Sequence, residues 1–426
     1  MFLLLISIFL AGILLVALED KVGINKTASA LLMSVVLWVI VALSGTVKDI
    51  TVPFTDHLGD VADTLFFVMG SMAIVQLIDV YGGFRVITDR IRTTKKRKLL
   101  WIVSFLTFFL SALLDDLATG IVMIALVRKL TPDKADRWIY GCMIIIAANA
   151  GGAWTPIGDV TTILLWTGGN LTPLHQMGHL FLPALVSMVV PLCIVTRFFK
   201  KNAGFEKLPD TNLTAQMPAA SLGPRTVILA LGITTMAFVP LFNEWTTLPP
   251  FMFLLFGLTV LWIYTDLIHR RSKAGGGVRV TEVLSRIDIS TILYFLGILM
   301  SVAALDTSGQ LQKVSHFLSA EIHNPLSIGF VIGVMSSFVD NVALVAATMS
   351  MYHIDSSSLD FMVNGQFWIF LAYCAVTGGS ILIIGSATGV TVMGMEKIPF
   401  MYYFKRFTLV ALAGYVAGAL TYVLLF

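Results

Sequence analysis

Four aspartates lie inside long apolar runs of the sequence, where ionisable side chains are rare. Asp115 and Asp116 are adjacent, Asp340 is followed by Asn341, and Asp159 lies in a third run. A carboxylate withdrawn from water keeps its charge only if cations or hydrogen-bond donors compensate it, and otherwise binds a proton. We interpret these five residues as a candidate site for a cation and protons. The alternative is a structural polar cluster that pins neighbouring helices together.

The run that contains Asp159 is interrupted by small and polar residues. Gly151 and Gly152 predict the end of one half-helix, and Pro156 predicts the start of the next. The unwound stretch would expose carbonyl oxygens, which suit a hard cation together with carboxylate, amide and hydroxyl oxygens. The candidate ligands here are Asn149, Asp159, Thr161 and Thr162. Close helix packing is the competing explanation for the glycines.

A second glycine-interrupted run supplies hydroxyl groups without charge. The candidate supporting residues are Thr377, Ser380, Ser386 and Thr388 in this run, with Ser111 and Ser336 ahead of the two tip pairs. The most specific form of the hypothesis places Na⁺ at Asp115, Asn149, Asp159 and Asp340. No resident cofactor is expected, because Na⁺ or Li⁺ and H⁺ would be the transported ions.

Carboxylates that are shared by Na⁺ and H⁺ give a simple exchange mechanism. Desolvation and a like-charged neighbour both make a carboxyl group hold its proton more tightly. An arriving proton would expel the cation, and an arriving cation would expel the proton. Competition for one site is sufficient for obligatory exchange, with alternating access carrying the loaded site across a membrane.

The composition indicates that the protein lies in such a membrane. Of 426 residues, 57% are apolar even without glycine and 12% are charged, whereas soluble domains have about 45–50% apolar residues including glycine and about 25% charged. So few charges cannot cover a soluble surface, which argues against a soluble enzyme, a nucleic-acid binder, a disordered chain or a disulfide scaffold. The sequence therefore predicts an all-α polytopic protein in contact with a lipid bilayer.

The placement of the basic residues selects between possible topologies. The four apolar runs that contain the polar clusters are much longer than the roughly 20 residues that a helix needs to cross a bilayer. If the two runs with tip pairs are re-entrant hairpins and the other two are discontinuous helices, 26 of the 28 Lys and Arg residues share one side, and only Lys48 and Lys313 lie opposite. Basic loops favour the cytoplasm. We thus expect a multi-pass protein of the cytoplasmic (inner) membrane with its N-terminus outside.

The two halves of the chain match at a nearly constant offset. Three segments pair in order, namely 67–70 with 294–297, 111–118 with 336–343 and 151–161 with 378–388. In the favoured topology, span 63–80 and its partner 289–306 cross in opposite directions. This pattern predicts an inverted-topology repeat, which is the architecture of secondary transporters with a site near the midplane.

These patterns divide the chain into five parts. Residues 1–62 would form N-terminal scaffold and dimer spans, 201–224 a cytoplasmic linker and 225–288 further scaffold spans. Repeat 1 would cover 63–200, with a hairpin at 99–130 and a broken helix at 138–167. Repeat 2 would cover 289–426, with a hairpin at 325–352, a broken helix at 366–395 and a last span at 407–425.

The stretch from Asn149 to Thr162 resembles the signature of NhaD-type sodium/proton antiporters, which belong to the ion transporter superfamily. The pairs Asp115-Asp116 and Asp340-Asn341 resemble the two hairpin tips of that family. The resemblance covers essentially the whole chain and implies a scaffold with a transport unit, a homodimer that works as an elevator, and efflux of Na⁺ or Li⁺ driven by proton entry. It also implies a departure, because Asn is expected where this chain has Asp116.

Three other functions remain open at this stage. An ion-coupled carrier of the same superfamily could move dicarboxylates, citrate or arsenite, although acidic tips would repel such anions. A passive channel is possible, but inverted repeats with hairpins favour a carrier. An intramembrane aspartyl protease is disfavoured, because Asp159 is not preceded by the required Gly-x-Gly. The protein is therefore not expected to be an enzyme.

Overall fold

The computed structural model describes residues 2–426 apart from 46–48, 89–90, 92, 94, 132, 200–221, 247, 272–279, 286 and 323. The described chain is helical and contains no extended strand. Most of the predicted linker 201–224 lies outside the described residues.

The first half of the chain forms ten helices. They are α1 (Phe2–Ala17), α2 (Glu19–Val22), α3 (Lys26–Leu43), α4 (Thr51–Val80), α5 (Arg85–Thr88), α6 (Lys96–Leu114), α7 (Asp116–Leu130), α8 (Lys134–Ala153), α9 (Val160–Thr167) and α10 (Pro173–Thr196). The starts of these helices follow local capping rules. For example, the side chains of Asn25 and Asp133 accept hydrogen bonds from backbone N–H groups at the starts of α3 and α8.

The second half forms eleven helices. They are α11 (Leu222–Thr246), α12 (Pro250–Arg271), α13 (Val280–Leu284), α14 (Ile289–Thr307), α15 (Gln310–Glu321), α16 (Pro325–Met335), α17 (Asn341–Met351), α18 (Gln366–Gly378), α19 (Ala387–Glu396), α20 (Phe400–Arg406) and α21 (Thr408–Leu425). Helix α16 begins with Pro325 at its first position, where the missing N–H has no partner to lose.

Eight of the described helices are long and apolar enough to cross a membrane. They lie in α3, α4, α6, α10, α11, α12, α14 and α21. Several of these helices expose large apolar side chains on the protein surface, such as Leu43, Phe256 and Leu409. Such exposure suits contact with lipid. The chain is therefore a multi-pass membrane protein, as the composition predicted.

Helices α6 and α8 lie side by side and run in the same direction. At their starts, the Tyr140 hydroxyl donates to the Lys96 carbonyl at 3.0 Å, and nearer their ends the Ser111 hydroxyl donates to the Ala148 carbonyl at 2.6 Å. Helix α7 returns from the end of α6, because Arg137 near the start of α8 contacts the Thr131 carbonyl that follows α7. Both ends of the α6–α7 segment therefore lie near the start of α8.

The second half contains an equivalent arrangement. Helices α16 and α18 are in close contact along their length, with Gly329 against Phe370 and Gly333 against Cys374, so they also run in the same direction. Tyr352, which follows α17, stacks on Phe361 just before α18. Both ends of the α16–α17 segment therefore lie near the start of α18.

Two predicted helix ends are wrong in detail. Helix α8 continues through Gly151 and Gly152 to Ala153, and Pro156 lies inside the unwound stretch while α9 begins only at Val160. The glycines permit close packing, because a Cβ on Gly151 would lie 2.2 Å from the Phe108 carbonyl oxygen. The packing explanation therefore accounts for these glycines, and Asp159 is the residue that starts the next helix.

Two of the proposed part boundaries fall inside continuous helices. The boundary between residues 62 and 63 lies within α4, which begins at Thr51. The boundary between residues 224 and 225 lies within α11, which begins at Leu222. The apolar pattern does not predict that α4 starts as early as Thr51, because Asp56, Asp60 and Asp63 interrupt it.

Candidate functional site

The four aspartates and Asn341 line one cavity of about 30 Å³. The other lining residues are Val68 and Met72 of α4, Thr291 and Phe295 of α14, and Leu117, Val160, Val342 and Ala387. This volume accommodates one or two particles of the size of water. No Lys or Arg is among the residues that line the cavity, so its polar surface is acidic. The structure thus brings together five of the eight residues predicted as primary ligands.

Asp115 joins α6 to α7 in an unusual backbone conformation. Its φ is 78° and its ψ is 145°, a region that is adopted almost only by glycine and costs a side-chain-bearing residue about 1–3 kcal/mol. The neighbouring amide of Asp116 donates to the Gly158 carbonyl at 3.1 Å, which docks this tip on the unwound stretch between α8 and α9. Packing therefore holds the first tip in a strained turn that points two adjacent carboxylates at the cavity.

Asp159 is fixed by bonds from its own helix and from the second tip. Its Oδ1 accepts from the Thr161 amide at 2.7 Å and from the Thr161 hydroxyl at 2.5 Å. Thr162 completes a capping box, since its hydroxyl accepts from the Asp159 amide at 3.3 Å. The Asn341 side-chain amide donates to Asp159 Oδ2 at 3.2 Å. Thr161 and Thr162 therefore position Asp159 but do not line the cavity.

Asp116 is bonded to the second interrupted helix. The Thr388 hydroxyl donates to Asp116 Oδ2 at 2.7 Å, and both residues are buried. A hydrogen bond to a buried carboxylate is charge-assisted and stabilises its ionised form. Thr388 is therefore a direct hydrogen-bond partner of Asp116.

Asn149 is not among the residues that line the cavity. Its Nδ2 donates to Ser380 Oγ at 2.8 Å and to Ser386 Oγ at 3.1 Å. Its Oδ1 is buried and has no hydrogen-bond partner. The Ser386 hydroxyl also accepts from the Gly389 amide and so caps α19. Asn149, Ser380 and Ser386 therefore form a polar group that joins the two interrupted helices, with one oxygen left over for a ligand or a water molecule.

The remaining supporting residues bond to helices. Ser111 donates to the Ala148 carbonyl and Ser336 donates to the Ala375 carbonyl, at 2.6 Å and 2.7 Å. Thr377 donates to the Tyr373 carbonyl one turn earlier in its own helix. None of these three residues lines the cavity. Ser111 and Ser336 hold the hairpin limbs against α8 and α18.

Among the described residues, no three Asp, Glu, His or Cys side chains are placed so that they could enclose a metal ion. The four carboxylates line one cavity, but no three of them converge closely enough to hold a metal ion. Such a set differs from a closed structural metal site, whose ligands surround the ion completely.

Sequence reasoning missed the apolar and aromatic side of the site. Val68, Met72 and Phe295 line the cavity, and the buried Tyr294 lies next to Phe295. Residues 67–70 and 294–297 were noticed only as matching segments. In that match Tyr294 takes the place of Phe67. This additional hydroxyl is the feature of the sequence that could have indicated a role for this side of the site.

The sequence also did not predict an ionic cluster where α7 and α19 end and α8 begins. The buried carboxylate of Glu396, at the end of α19, is paired with Arg137 at 3.0 Å and with Arg128. Trp138 donates to the backbone carbonyl of Glu396 at 3.1 Å. This cluster ties α7 and α8 to α19 at the end of the molecule away from the tips.

A polytopic helical chain with two interrupted helices and two acidic tips around one cavity belongs to the class of membrane transporters. Residues 13–360 match the family described as "Citrate transporter". The chain is 44% identical to "Sodium/proton antiporter 1" of Arabidopsis thaliana, over 98% of this chain and 71% of that protein. It is 41% identical to "Sodium/proton antiporter 2" of the same plant, over 97% of each chain.

A bacterial relative gives the same result at lower identity. The "Na(+)/H(+) antiporter NhaD" of Alkalimonas amylolytica is 30% identical over 97% of this chain and 88% of the relative. Together with the match of residues 13–360, these relatives show that the chain belongs to the NhaD-type antiporter family. This confirms the resemblance that the motif from Asn149 to Thr162 indicated.

Proposed function

We propose that this chain exchanges Na⁺ or Li⁺ for H⁺ across a membrane by alternating access, and that it has no catalytic activity. The observation that carries the proposal is the cavity lined by Asp115, Asp116, Asp159 and Asp340 without a lining Lys or Arg. Two of these acids come from one tip, one from the other tip and one from a helix break. Relatives that are named sodium/proton antiporters over nearly the whole chain support it.

The exchange follows from competition for these carboxylates. Four acids in so small a volume repel each other. Binding of protons or of a cation is therefore favourable, because it reduces the negative charge of the site. Na⁺ would take oxygen ligands from the tips and from Asp159. Proton binding to the same oxygens removes the charge that attracts the cation. Asn341 and Thr388, which bond to Asp159 and Asp116, would keep the carboxylates oriented in both loaded states.

Matching contacts in the two halves support the inverted repeat. Ser111 to Ala148 corresponds to Ser336 to Ala375, and each bond joins a hairpin limb to the first half of an interrupted helix. Close glycine contacts correspond as well. A Cβ on Gly151 or on Gly378 would lie 2.2 Å or 1.9 Å from a backbone carbonyl oxygen of the neighbouring limb.

We also propose that the α6–α7 and α16–α17 segments are re-entrant hairpins and that transport uses an elevator motion. Each hairpin starts and ends near the start of one interrupted helix, as expected for a segment that enters and leaves on one side. Helices α3, α4, α11, α12 and α14 would form the scaffold, and the hairpins with α8, α9, α18 and α19 the moving unit. The cavity lies between the two groups, because α4 and α14 supply its apolar wall.

The position of the cavity along the scaffold indicates the state of the transporter. Thr291 is two residues from the start of α14, or about 3 Å at 1.5 Å per residue, and about 24 Å from its end at Thr307. The loop before α14 is basic and is proposed to be cytoplasmic. We infer that this conformation presents the site toward the cytoplasm, with the N-terminus outside.

Membrane location and assembly complete the proposal. The protein would reside in the cytoplasmic membrane as a homodimer, with the lipid bilayer as its other surroundings. The scaffold helices α11 and α12 are the least buried of the eight apolar spans. Their exposed face, which includes Phe256 and Ile263, is available to a second copy or to lipid.

Transport of citrate is the second candidate, because the description of the matching family names citrate transport. The acidic wall of the cavity disfavours it, since a citrate anion would meet four carboxylates and no lining cation. Proteoliposomes that contain a pH-sensitive dye distinguish the two functions. A pulse of Na⁺ or Li⁺, but not K⁺, should move protons if the chain is an antiporter. Uptake of labelled citrate without such proton movement would refute the proposal.

A further inference from the structure

A lysine and a tyrosine of the scaffold flank the cavity on the side of Asp340. Lys26, the first residue of α3, places its ammonium 4.9 Å from the centre of the Tyr294 ring. Tyr294 is 1% exposed, and its hydroxyl makes no hydrogen bond of ordinary geometry. Both the Tyr294 hydroxyl and the Lys26 ammonium lie within electrostatic range of the Asp340 carboxylate. The lysine thus lies behind the ring, and the acid lies near its hydroxyl.

The position of Lys26 is fixed by three contacts. Its backbone amide donates to Glu19 Oε1 at 3.1 Å, and the next residue, Thr27, donates to the Ser290 carbonyl at 2.9 Å. The ammonium is attracted to the face of the Tyr294 ring. These contacts join α3 to α2 and to α14, and α3 and α14 are both assigned to the scaffold. Lys26 therefore does not belong to the unit that carries the second tip.

We propose that Lys26 sets the affinity of the exchange site for Na⁺, because its ammonium offsets the charge of Asp340 and so weakens the binding of Na⁺ from the cytoplasmic side. The inference rests on the proposed Na⁺/H⁺ exchange. Its physical basis is repulsion between the fixed ammonium and a cation that enters a poorly solvated cavity. With solvent screening of a half-buried lysine, the repulsion weakens Na⁺ binding by about three- to tenfold.

The surrounding charges leave this role to Lys26. Asp115, Asp116 and Asp159 line the same cavity as Asp340 and are acids like it, so they cannot supply the positive charge that Lys26 provides. Among the described side chains, the charged and titratable groups on the elements packed around Lys26 and Asp340 are Glu19, Asp288, Tyr294, Asp306, Lys313, His316, Tyr373 and Cys374. Lys313 and His316 belong to α15, which follows the far end of α14.

The matching position in the other repeat carries no charge. Gly297 packs against Ala30 and Leu31, and its repeat partner Gly70 packs against Leu254 and Leu255. By these contacts Pro250, the first residue of α12, corresponds to Lys26. A lysine in one repeat only makes the two faces of the transporter unequal. When the moving unit carries the tip away from α3, the repulsion is lost, so the effect of Lys26 is confined to one side.

Membrane vesicles of opposite orientation test this inference. In everted vesicles, which expose the cytoplasmic face, Lys26→Gln should lower the apparent KM for Na⁺ by about three- to tenfold, whereas Lys26→Arg should retain the wild-type value. In right-side-out vesicles the KM of Lys26→Gln should stay within twofold of wild type. Lys129→Gln removes an exposed lysine at the end of α7 and is the matched control for net charge, with an unchanged KM.

The possible outcomes separate the two proposals. Loss of packing would lower the amount of active protein and the maximal rate, but not the KM, so an unchanged KM in Lys26→Gln overturns the role of Lys26. An equal fall of KM in Lys26→Arg, or in vesicles of both orientations, overturns it as well. Wild-type protein that exchanges no Na⁺ for H⁺ overturns the proposed function and this inference with it.

Discussion

The bond between Thr388 and Asp116 offers a sharp test of the second carboxylate of the first tip. The Thr388 hydroxyl donates to Asp116 Oδ2 at 2.7 Å, and the two side chains are 0% and 5% exposed. Valine has nearly the same shape as threonine but cannot donate. In Thr388→Val, water cannot freely replace the lost donor, so the ionised form of Asp116 loses the whole bond.

The size of the effect follows from the strength of such bonds. A hydrogen bond to a buried charged group contributes about 1.5–3 kcal/mol, and one pH unit corresponds to about 1.4 kcal/mol. Because the bond favours the ionised carboxylate, Asp116 should keep its proton to a higher pH in the variant. The pH of half-maximal exchange should therefore rise by about one to two units.

The assay is Na⁺-dependent proton movement in dye-loaded proteoliposomes, measured at one Na⁺ concentration below the wild-type KM across a series of pH values. Thr348→Val is the matched control. Its hydroxyl is buried but donates to the Leu344 carbonyl of its own helix at 2.7 Å, so this variant should keep the wild-type pH profile. An unchanged profile in Thr388→Val and in Asp116→Asn would show that Asp116 takes no part in exchange.

Two further variants test the packing of the moving unit. Gly378→Ala places a Cβ 1.9 Å from the Gly333 carbonyl oxygen, so it should destabilise the protein by about 1–3 kcal/mol and lower its melting temperature in detergent. Gly394→Ala is the control, because its Cβ meets nothing within 4 Å and its melting temperature should stay that of wild type. Equal melting temperatures of the two variants would contradict the close approach at Gly378. Glu396→Gln leaves two arginines without their buried partner and should cost about 1–2 kcal/mol because both arginines are partly exposed. That loss should shrink at high salt, and a salt-independent melting temperature difference would argue against an ionic cause.

The breaks in the helices could be predicted because the relevant signals are local. Charged and small residues interrupt the apolar runs at the tips and at residues 154–159 and 379–386, and the structure places its breaks there. Capping chemistry then decides the exact ends. The sequence pattern predicts Asp159 as a ligand. The residue also starts α9, because its carboxylate accepts a hydrogen bond from the Thr161 amide.

The remaining features depend on contacts between distant segments. Nothing near Lys26 in the sequence indicates that it lies against Tyr294, 268 positions away, because that proximity depends on the packing of α3 against α14. Asn149 was grouped with the acids by sequence, but the fold turns its amide toward Ser380 and Ser386. The direction in which a side chain points within a broken helix is set by its neighbours in space.

The central claim is that Na⁺ and H⁺ compete for the carboxylates of one cavity. Its most direct test is the affinity of the purified protein for Na⁺, measured by calorimetry at successive pH values in buffers of different ionisation enthalpy. Competition with one proton predicts that the apparent Kd for Na⁺ rises about tenfold for each unit of acidification in the range where the site titrates, with protons released on binding. A Kd that is independent of pH, with no proton release, would contradict the claim.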